Sequence, residues 1–205
     1  MLSESTTFFQ YGEIEITALR GADPVLGAAM DRIGFLKRPT TPDLFKALAQ
    51  AVVGQLISVK AAQSVWERMV ARFGRIDPPS ITAQSPEELR ACGLTMKKAA
   101  CIYRTACRME SGELDLDELA LLPDTEVVRR LTSLDGIGVW TAEMLLLHAL
   151  ERPDVVSWGD VAIRRGMMKL YGLDGLTKKE FDRYRELYSP YGSVASIYLW
   201  EISYE

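Results

Sequence analysis

Leu131-Thr132-Ser133-Leu134-Asp135-Gly136-Ile137-Gly138-Val139-Trp140-Thr141-Ala142 places two glycines, one residue apart, between two stretches of helical periodicity. Glycine permits φ > 0 and allows a backbone or ligand to approach closely. The stretch therefore predicts a tight helix-hairpin-helix over 131–142. The turn ends at a helix N-terminus, whose first amides lack an intrahelical partner. With the helix dipole they make an anion site that a phosphate fits without a cationic side chain. Gly136, Gly138 and Thr141 are the candidate phosphate contacts. Taken alone, Gly-x-Gly between helices equally describes a plain helix–helix turn.

Outward from the hairpin the chain reads as helical almost throughout. Asp23-Pro24 and Thr41-Pro42 place a capping residue before proline at a first helical position. The second opens a helix whose apolar stripe is Leu44, Phe45, Leu48, Val52 and Leu56. Ser58 caps the next, with Ala62, Val65, Trp66, Met69, Val70 and Phe73 on its apolar face and Gly74 as its stop. Ser85-Pro86-Glu87-Glu88 and Thr177-Lys178-Lys179-Glu180 are capping boxes. Further helices are expected from Lys97 to Glu110, from Asp124 to Leu131, after Asp160 and from Gly192 to Ser203. The helix after Asp160 should turn Ile163, Met167 and Leu170 inward. The only alternating stretch, Gly12-Glu13-Ile14-Glu15-Ile16-Thr17, reads as a short extended arm. The expected fold is all-α, with residues 1–22 as an N-terminal arm and 23–205 as a helical domain of two lobes.

The 205 residues are 48% hydrophobic and carry a net charge of −4. That is enough chain for one large domain or two small lobes. An acidic balance counts mildly against nucleic acid, because phosphate binding favours basic surface. Local patches can override it: Lys97-Lys98, Arg164-Arg165 with Lys169, and Lys178-Lys179 are candidates, although each also reads as a solvated face. No stretch approaches the roughly 20 apolar residues of a membrane span, and Met1-Leu2-Ser3-Glu4-Ser5 lacks signal-peptide character. A cytoplasmic location is expected. Cys92, Cys101 and Cys107 form an odd set without metal-ligand spacing and read as reduced core thiols. His148, the single histidine, makes a zinc site improbable and reads as a structural side chain.

Leu134 to Ala142, followed by Asp154-Val155-Val156 and Gly159-Asp160, resembles the helix-hairpin-helix DNA glycosylase superfamily, in which an aspartate follows the hairpin at about this distance. Gly54-Gln55-Leu56-Ile57-Ser58-Val59-Lys60-Ala61-Ala62 looks like the segment carrying that family's DNA-wedging loop. Gly93-Leu94-Thr95-Met96-Lys97-Lys98-Ala99 and Pro190-Tyr191-Gly192-Ser193 with Tyr198-Leu199-Trp200 resemble two further elements. The likeness covers roughly residues 23 to 204 and is nearest to the AlkA-like, 3-methyladenine DNA glycosylase II branch. It implies a cleft between the lobes for DNA and the extruded base. It also implies that the N-terminal β-rich domain of the longer enzymes is largely absent. Two positions depart from the pattern. Asp135 replaces the hairpin's usual proline, and Ser157-Trp158-Gly159 replaces a proline-bearing loop.

The resemblance sets the expected chemistry. Asp160 is the candidate catalytic carboxylate, stabilising positive charge on the sugar and orienting or deprotonating water. From its sequence alone it reads as the cap of the following helix; the two roles are compatible. Bifunctional relatives carry a lysine nucleophile where this chain has Trp140, so hydrolysis without strand cleavage is expected. No cysteine follows Cys107, so the iron–sulfur cluster of some relatives is not expected. Leu56 is the candidate wedge for base flipping, with core leucine as the plainer reading. Trp140, Met144, Tyr191 and Trp158 are the candidate base pocket, suited to cationic N-alkylated purines; Trp66 and Trp200 read as core. The family also implies a sodium or potassium ion on the main-chain carbonyls of Thr132, Leu134 and Ile137, with no other cofactor required. The expected partner is double-stranded DNA containing damaged bases, bound by a monomer with no membrane association. A glycosylase for an oxidised or deaminated base, or a non-catalytic DNA-binding module, stays open on the sequence.

Overall fold

Thirteen helices and one antiparallel pair of two-residue strands make up the described residues, 6–205, of the computed structural model. Helices begin at capping residues the sequence offers, except that the helix expected from Thr41-Pro42 starts at Leu44, because the Asp43 carboxylate caps it instead. Asp23, Asp43, Ser58, Ser85, Thr95, Asp160 and Thr177 each accept a hydrogen bond from a first-turn amide, which satisfies donors a helix end leaves orphaned. Among the described residues, no helix is long and apolar enough to cross a membrane, and no group of three or more His, Cys, Asp or Glu could hold a metal ion.

The chain divides into two compact units. The first joins residues up to Thr40 with Leu146–Glu205. It holds the strand pair Thr7–Phe8 and Pro39–Thr40, α1 (Glu13–Ala22), α2 (Pro24–Ile33), α11 (Val161–Tyr171), α12 (Lys178–Tyr188) and α13 (Gly192–Tyr204). Helix α13 is its centre, buried from Gly192 to Trp200 and packed on α11. The second unit, Thr41–Leu145, holds α3 (Leu44–Gly54), α4 (Val59–Phe73), α5 (Pro78–Thr82), α6 (Pro86–Ala91), α7 (Met96–Glu110), α8 (Leu116–Ala120) and α9 (Asp124–Thr132). Its core gathers α3 with α4, α7 and α8, and α7 with α5 and α6. The boundary at Leu145 falls inside α10 (Val139–His148).

Several expectations are corrected. The alternating stretch from Gly12 to Thr17 is not an extended arm: Glu13–Ala22 is helical. The Glu15 carboxylate accepts from Gly12 N at 2.7 Å, and Ile16 and Leu19 are buried three residues apart, with α1 packed on α2. A two-residue alternation and a three-residue spacing share these apolar positions, and packing decides between them. Residue 22 is consequently no boundary, since α1 lies in the first unit. Leu56 drops out of the α3 stripe, because the helix ends at Gly54. Trp200 is buried as expected, whereas Trp66, Val70 and Leu170 are half-buried or exposed.

Candidate functional site

The hairpin forms as the sequence requires. Helix α9 ends at Thr132, Ile137 N donates to Leu134 O at 3.1 Å, and α10 opens at Val139. The two glycines have different reasons. Gly136 sits at φ +90°, and a Cβ there would lie 3.0 Å from Cys101 Sγ, so the backbone and the neighbour both demand glycine. Gly138 has no atom within 4 Å of where a Cβ would stand and is exposed; nothing in the fold forbids a side chain there. Its openness suits the approach of a ligand. The first bond of α10 is Ala142 N to Gly138 O, 3.1 Å, which puts the Val139 and Thr141 amides outside the helical ladder. The Thr141 side chain is not a phosphate ligand: it is 1% exposed and accepts from Gln55 Nε2 at 2.9 Å. Only its main chain can serve.

Asp135, the departure beside this turn, is 3.8 Å from Arg104, whose guanidinium offsets the carboxylate. Of the three carbonyls implied for a cation, Leu134 O accepts from Ile137 N at 3.1 Å.

Leu56 follows α3 at φ +57°, and its side chain is fully exposed at 104%. Large apolar side chains avoid both conditions. On the same unit Trp140 is half-buried, with its ring edge 4.0 Å from where a Cβ on Gly54 would stand. Met144, one turn later in α10, is buried at 5% exposure.

In the first unit, Asp160 caps α11. Its Oδ1 accepts from Ala162 N and Ile163 N, both at 2.9 Å, and the residue is 8% exposed. A carboxylate has two oxygens, so capping with one is compatible with a further role. The loop that delivers it is tied to α12 and α13. Ser193 Oγ donates to Arg152 O and accepts from Val155 N at 3.0 Å; Ser196 Oγ donates to Val155 O at 2.7 Å. Asp154 accepts from Gly192 N and Ser189 Oγ and pairs with Arg185 at 3.1 Å. A Cβ on Gly192 would lie 2.5 Å from Asp154 Oδ1, so glycine is what lets α13 start against the loop.

Behind this loop, His148 stacks on Trp200 with ring centroids 5.4 Å apart, and the Arg38 guanidinium lies 4.4 Å from the centroid of the same indole. Burial first, then the Arg38 charge, pushes the His148 imidazole down to about 4, against a hydrogen bond to the Pro39 main chain and the Asp160 charge. Burial likewise lowers Arg38, opposed by Tyr204, Asp160 and Glu201.

The remaining candidates separate. Tyr191 caps α13 and is half-buried. Trp158 turns to α12, edge-on to Phe181 at 5.2 Å, with Arg164 over its ring at 4.8 Å. That indole is occupied by protein, which counts against its serving as a pocket wall. The basic clusters are partly committed too. Lys98 Nζ donates to Val53 O and Gln55 O, Lys169 to Ser203 O, and Lys178 pairs with Asp182. Sequence reasoning assigned no individual role to Gln55, Arg38, Ser193 or Ser196, and read Lys98 as part of a basic patch rather than as a brace on α3. The cues for Gln55 are its place in the Gly54–Ala62 segment and a polar amide directly at the end of an apolar helix.

Residues 49–190 match the family described as HhH-GPD superfamily base excision DNA repair protein. DNA-3-methyladenine glycosylase 1 of Schizosaccharomyces pombe is 34% identical over 164 residues, covering 78% of this chain and 72% of that protein. DNA-3-methyladenine glycosylase of Bacillus subtilis is 30% identical over 196 residues, covering 89% of this chain and 65% of that longer protein. Among solved structures, a DNA-3-methyladenine glycosidase from Bacillus halodurans matches with a TM-score of 0.80 at 34% identity, over 96% of this chain and 92% of that one. The S. pombe 3-methyladenine DNA glycosylase in complex with abasic DNA matches with a TM-score of 0.84 at 30% identity, over 92% and 96%.

Proposed function

The chain belongs to the HhH-GPD superfamily of base excision DNA repair proteins, and from that premise we propose that it hydrolyses the N-glycosidic bond of alkylated purines, of the 3-methyladenine type, and leaves the strand uncut. The observation that carries this reading is Asp160, a nearly buried carboxylate fixed at a helix start by two amides.

In the proposed reaction the bond from C1′ to the base nitrogen breaks and its electron pair leaves with the base. Positive charge grows on the sugar, where the Asp160 carboxylate stabilises it. Water adds at C1′, and its proton passes to Asp160 or to solvent. An N-alkylated purine is cationic and leaves readily, so a strong general acid is dispensable. Trp140 stands at the hairpin position where an amine would be needed to form a Schiff base; an indole cannot do so. Its ring face suits a cationic base. Before any of this the nucleotide must leave the stack, with Leu56 filling the gap. The Gly136–Gly138 turn seats a phosphate, and a sodium or potassium ion on Thr132, Leu134 and Ile137 would add positive potential beside it.

The test uses duplexes with single defined lesions, incubated with and without alkali. Release of alkylated purines, with strand breaks only after alkali, is expected. Breaks without alkali would overturn the Trp140 argument, and release of only an oxidised or deaminated base would overturn the lesion class. Asp160→Asn keeps a good capping residue, so the variant should fold, bind DNA at least as well, and lose roughly 100-fold or more in release rate. Near-normal turnover in that variant would remove Asp160 from the chemistry.

A further inference from the structure

Gln55 caps the C-terminus of α3, immediately before Leu56. Its side-chain Nε2 donates to Gly136 O at 3.0 Å and to Thr141 Oγ1 at 2.9 Å. A carbonyl oxygen only accepts, so the amide nitrogen must face it. The two acceptors lie on either side of the hairpin turn. Lys98 holds the same loop through its main chain: Nζ donates to Val53 O at 2.9 Å and to Gln55 O at 2.6 Å. Those carbonyls end α3, where a helix leaves acceptors unpaired and carries partial negative charge. Burial pulls the Lys98 ammonium below its ordinary value.

The chain thus presents Leu56 to solvent in a left-handed conformation that leucine disfavours. The side chain itself, fully exposed, gains nothing from burial in this state. The strain must be over-determined by neighbours, and the Gln55 amide and the Lys98 ammonium are the groups placed to do it. One of these anchors is the turn proposed to seat a DNA phosphate.

We propose that Gln55 is a positioning residue that fastens the Leu56 loop to the phosphate-binding turn, so that seating the phosphate and inserting Leu56 occur as one event. This rests on the wedge reading of Leu56 given above. Lys98 acts as the counter-brace from α7. A loop hinged freely at Gly54 would bind the backbone and leave the leucine out of the stack; the amide bridge prevents that separation.

The experiment is a double-mutant cycle on a duplex carrying a tetrahydrofuran abasic-site analogue next to 2-aminopurine, whose fluorescence rises when its neighbour is unstacked. Read at saturating protein, Leu56→Ala should lose the rise. Gln55→Ala should cut it at least threefold, and the double variant should match Leu56→Ala alone. Such non-additivity is expected when one residue acts through the other. Gln55→Met keeps the chain length, removes only the amide, and should behave as Gln55→Ala with an unchanged circular dichroism spectrum. Lys98→Met should lower the rise by a smaller factor. A wild-type rise in both folded Gln55 variants, with Leu56→Ala still deficient, would overturn the proposal alone. A full rise in Leu56→Ala would overturn the wedge reading and the proposal with it.

Discussion

Between Arg152 and Val156 the chain is tied to α13 by both serine hydroxyls, by Ser193 N to Pro153 O at 3.0 Å and by Asp154 to Gly192, and to the end of α12 by Asp154 to Ser189. Between Gly54 and Ser58 it is braced mainly by one amide and one ammonium, and it carries Leu56 wholly in water. The first segment leads, four residues on, to the Asp160 carboxylate, and the second carries an apolar side chain. The contrast follows from the work proposed for each. Charge stabilisation depends on dipoles fixed before reaction and on restricted water, so Val155, Val156, Ser157 and Asp160 are buried and the loop is held at many points. A wedge gains its energy by leaving water when it enters the stack, so it must stand exposed beforehand and its support must come from below.

The contrast is broken most severely by removing a tie from the buried loop. In Ser193→Ala the Val155 amide loses its acceptor in a buried position and Arg152 O loses a donor. Unmet buried groups of this kind cost about 2–3 kcal/mol. The melting temperature should fall by about 4–12 °C. The release rate should fall by about tenfold or more as Asp160 loses its fixed approach, while DNA binding is kept. Calorimetry with single-turnover kinetics checks both. A stable variant with the wild-type rate would mean that the loop holds Asp160 without α13.

A second break uses pH on His148, at the end of α10. Its folded-state value, about 4, lies below the ordinary 6.5 because of burial and Arg38, with Asp160 and the Pro39 main chain acting the other way. Between pH 6.5 and 4 the unfolded chain therefore binds more protons than the folded one, and stability falls as pH falls. The full contribution is present above pH 6.5. From pH 6.5 to 4.5 the loss assigned to this group is about 1–2 kcal/mol. Thermal melts across that range should show His148→Gln losing less stability than the wild type; equal slopes would remove His148 as the cause.

The two segments also differ in how much of them the sequence carried. The hairpin and the Asp160 cap are local: glycine spacing and a capping residue announce them, and both stand where the chain pattern puts them. The Leu56 conformation is not local. A leucine four residues beyond Val52 extends the helical stripe on paper, and only the chain's exit at Gly54 puts it in solvent. Gln55 and Lys98 were illegible because their partners are 81 and 45 residues away; a Lys-Lys pair looks like a solvated face until one ammonium is found under two carbonyls. Ser193 and Ser196, inside an apolar helix, acquire meaning only when the buried loop crosses them. The α1 helix failed for a different reason, since its apolar positions fit two periods.

The smallest expected effect separates strain from burial within the exposed loop. Leu56 at φ +57° costs of order 1 kcal/mol in a conformation that glycine adopts freely. Because the side chain is fully exposed, deleting it forfeits no packing in the free protein. Leu56→Gly relieves the strain but gives the unfolded chain more freedom, leaving a net gain of about 0.5 kcal/mol. Leu56→Ala relieves nothing and should melt as the wild type does. Leu56→Gly should melt about 1–2 °C higher, yet both variants should lose the 2-aminopurine rise alike. A fall in melting temperature for Leu56→Gly would mean that the leucine packs in solution and that the loop resembles the Asp160 segment after all. A higher melting temperature with unstacking lost would show that the position which supplies the wedge also holds backbone strain, the trade expected at a working site.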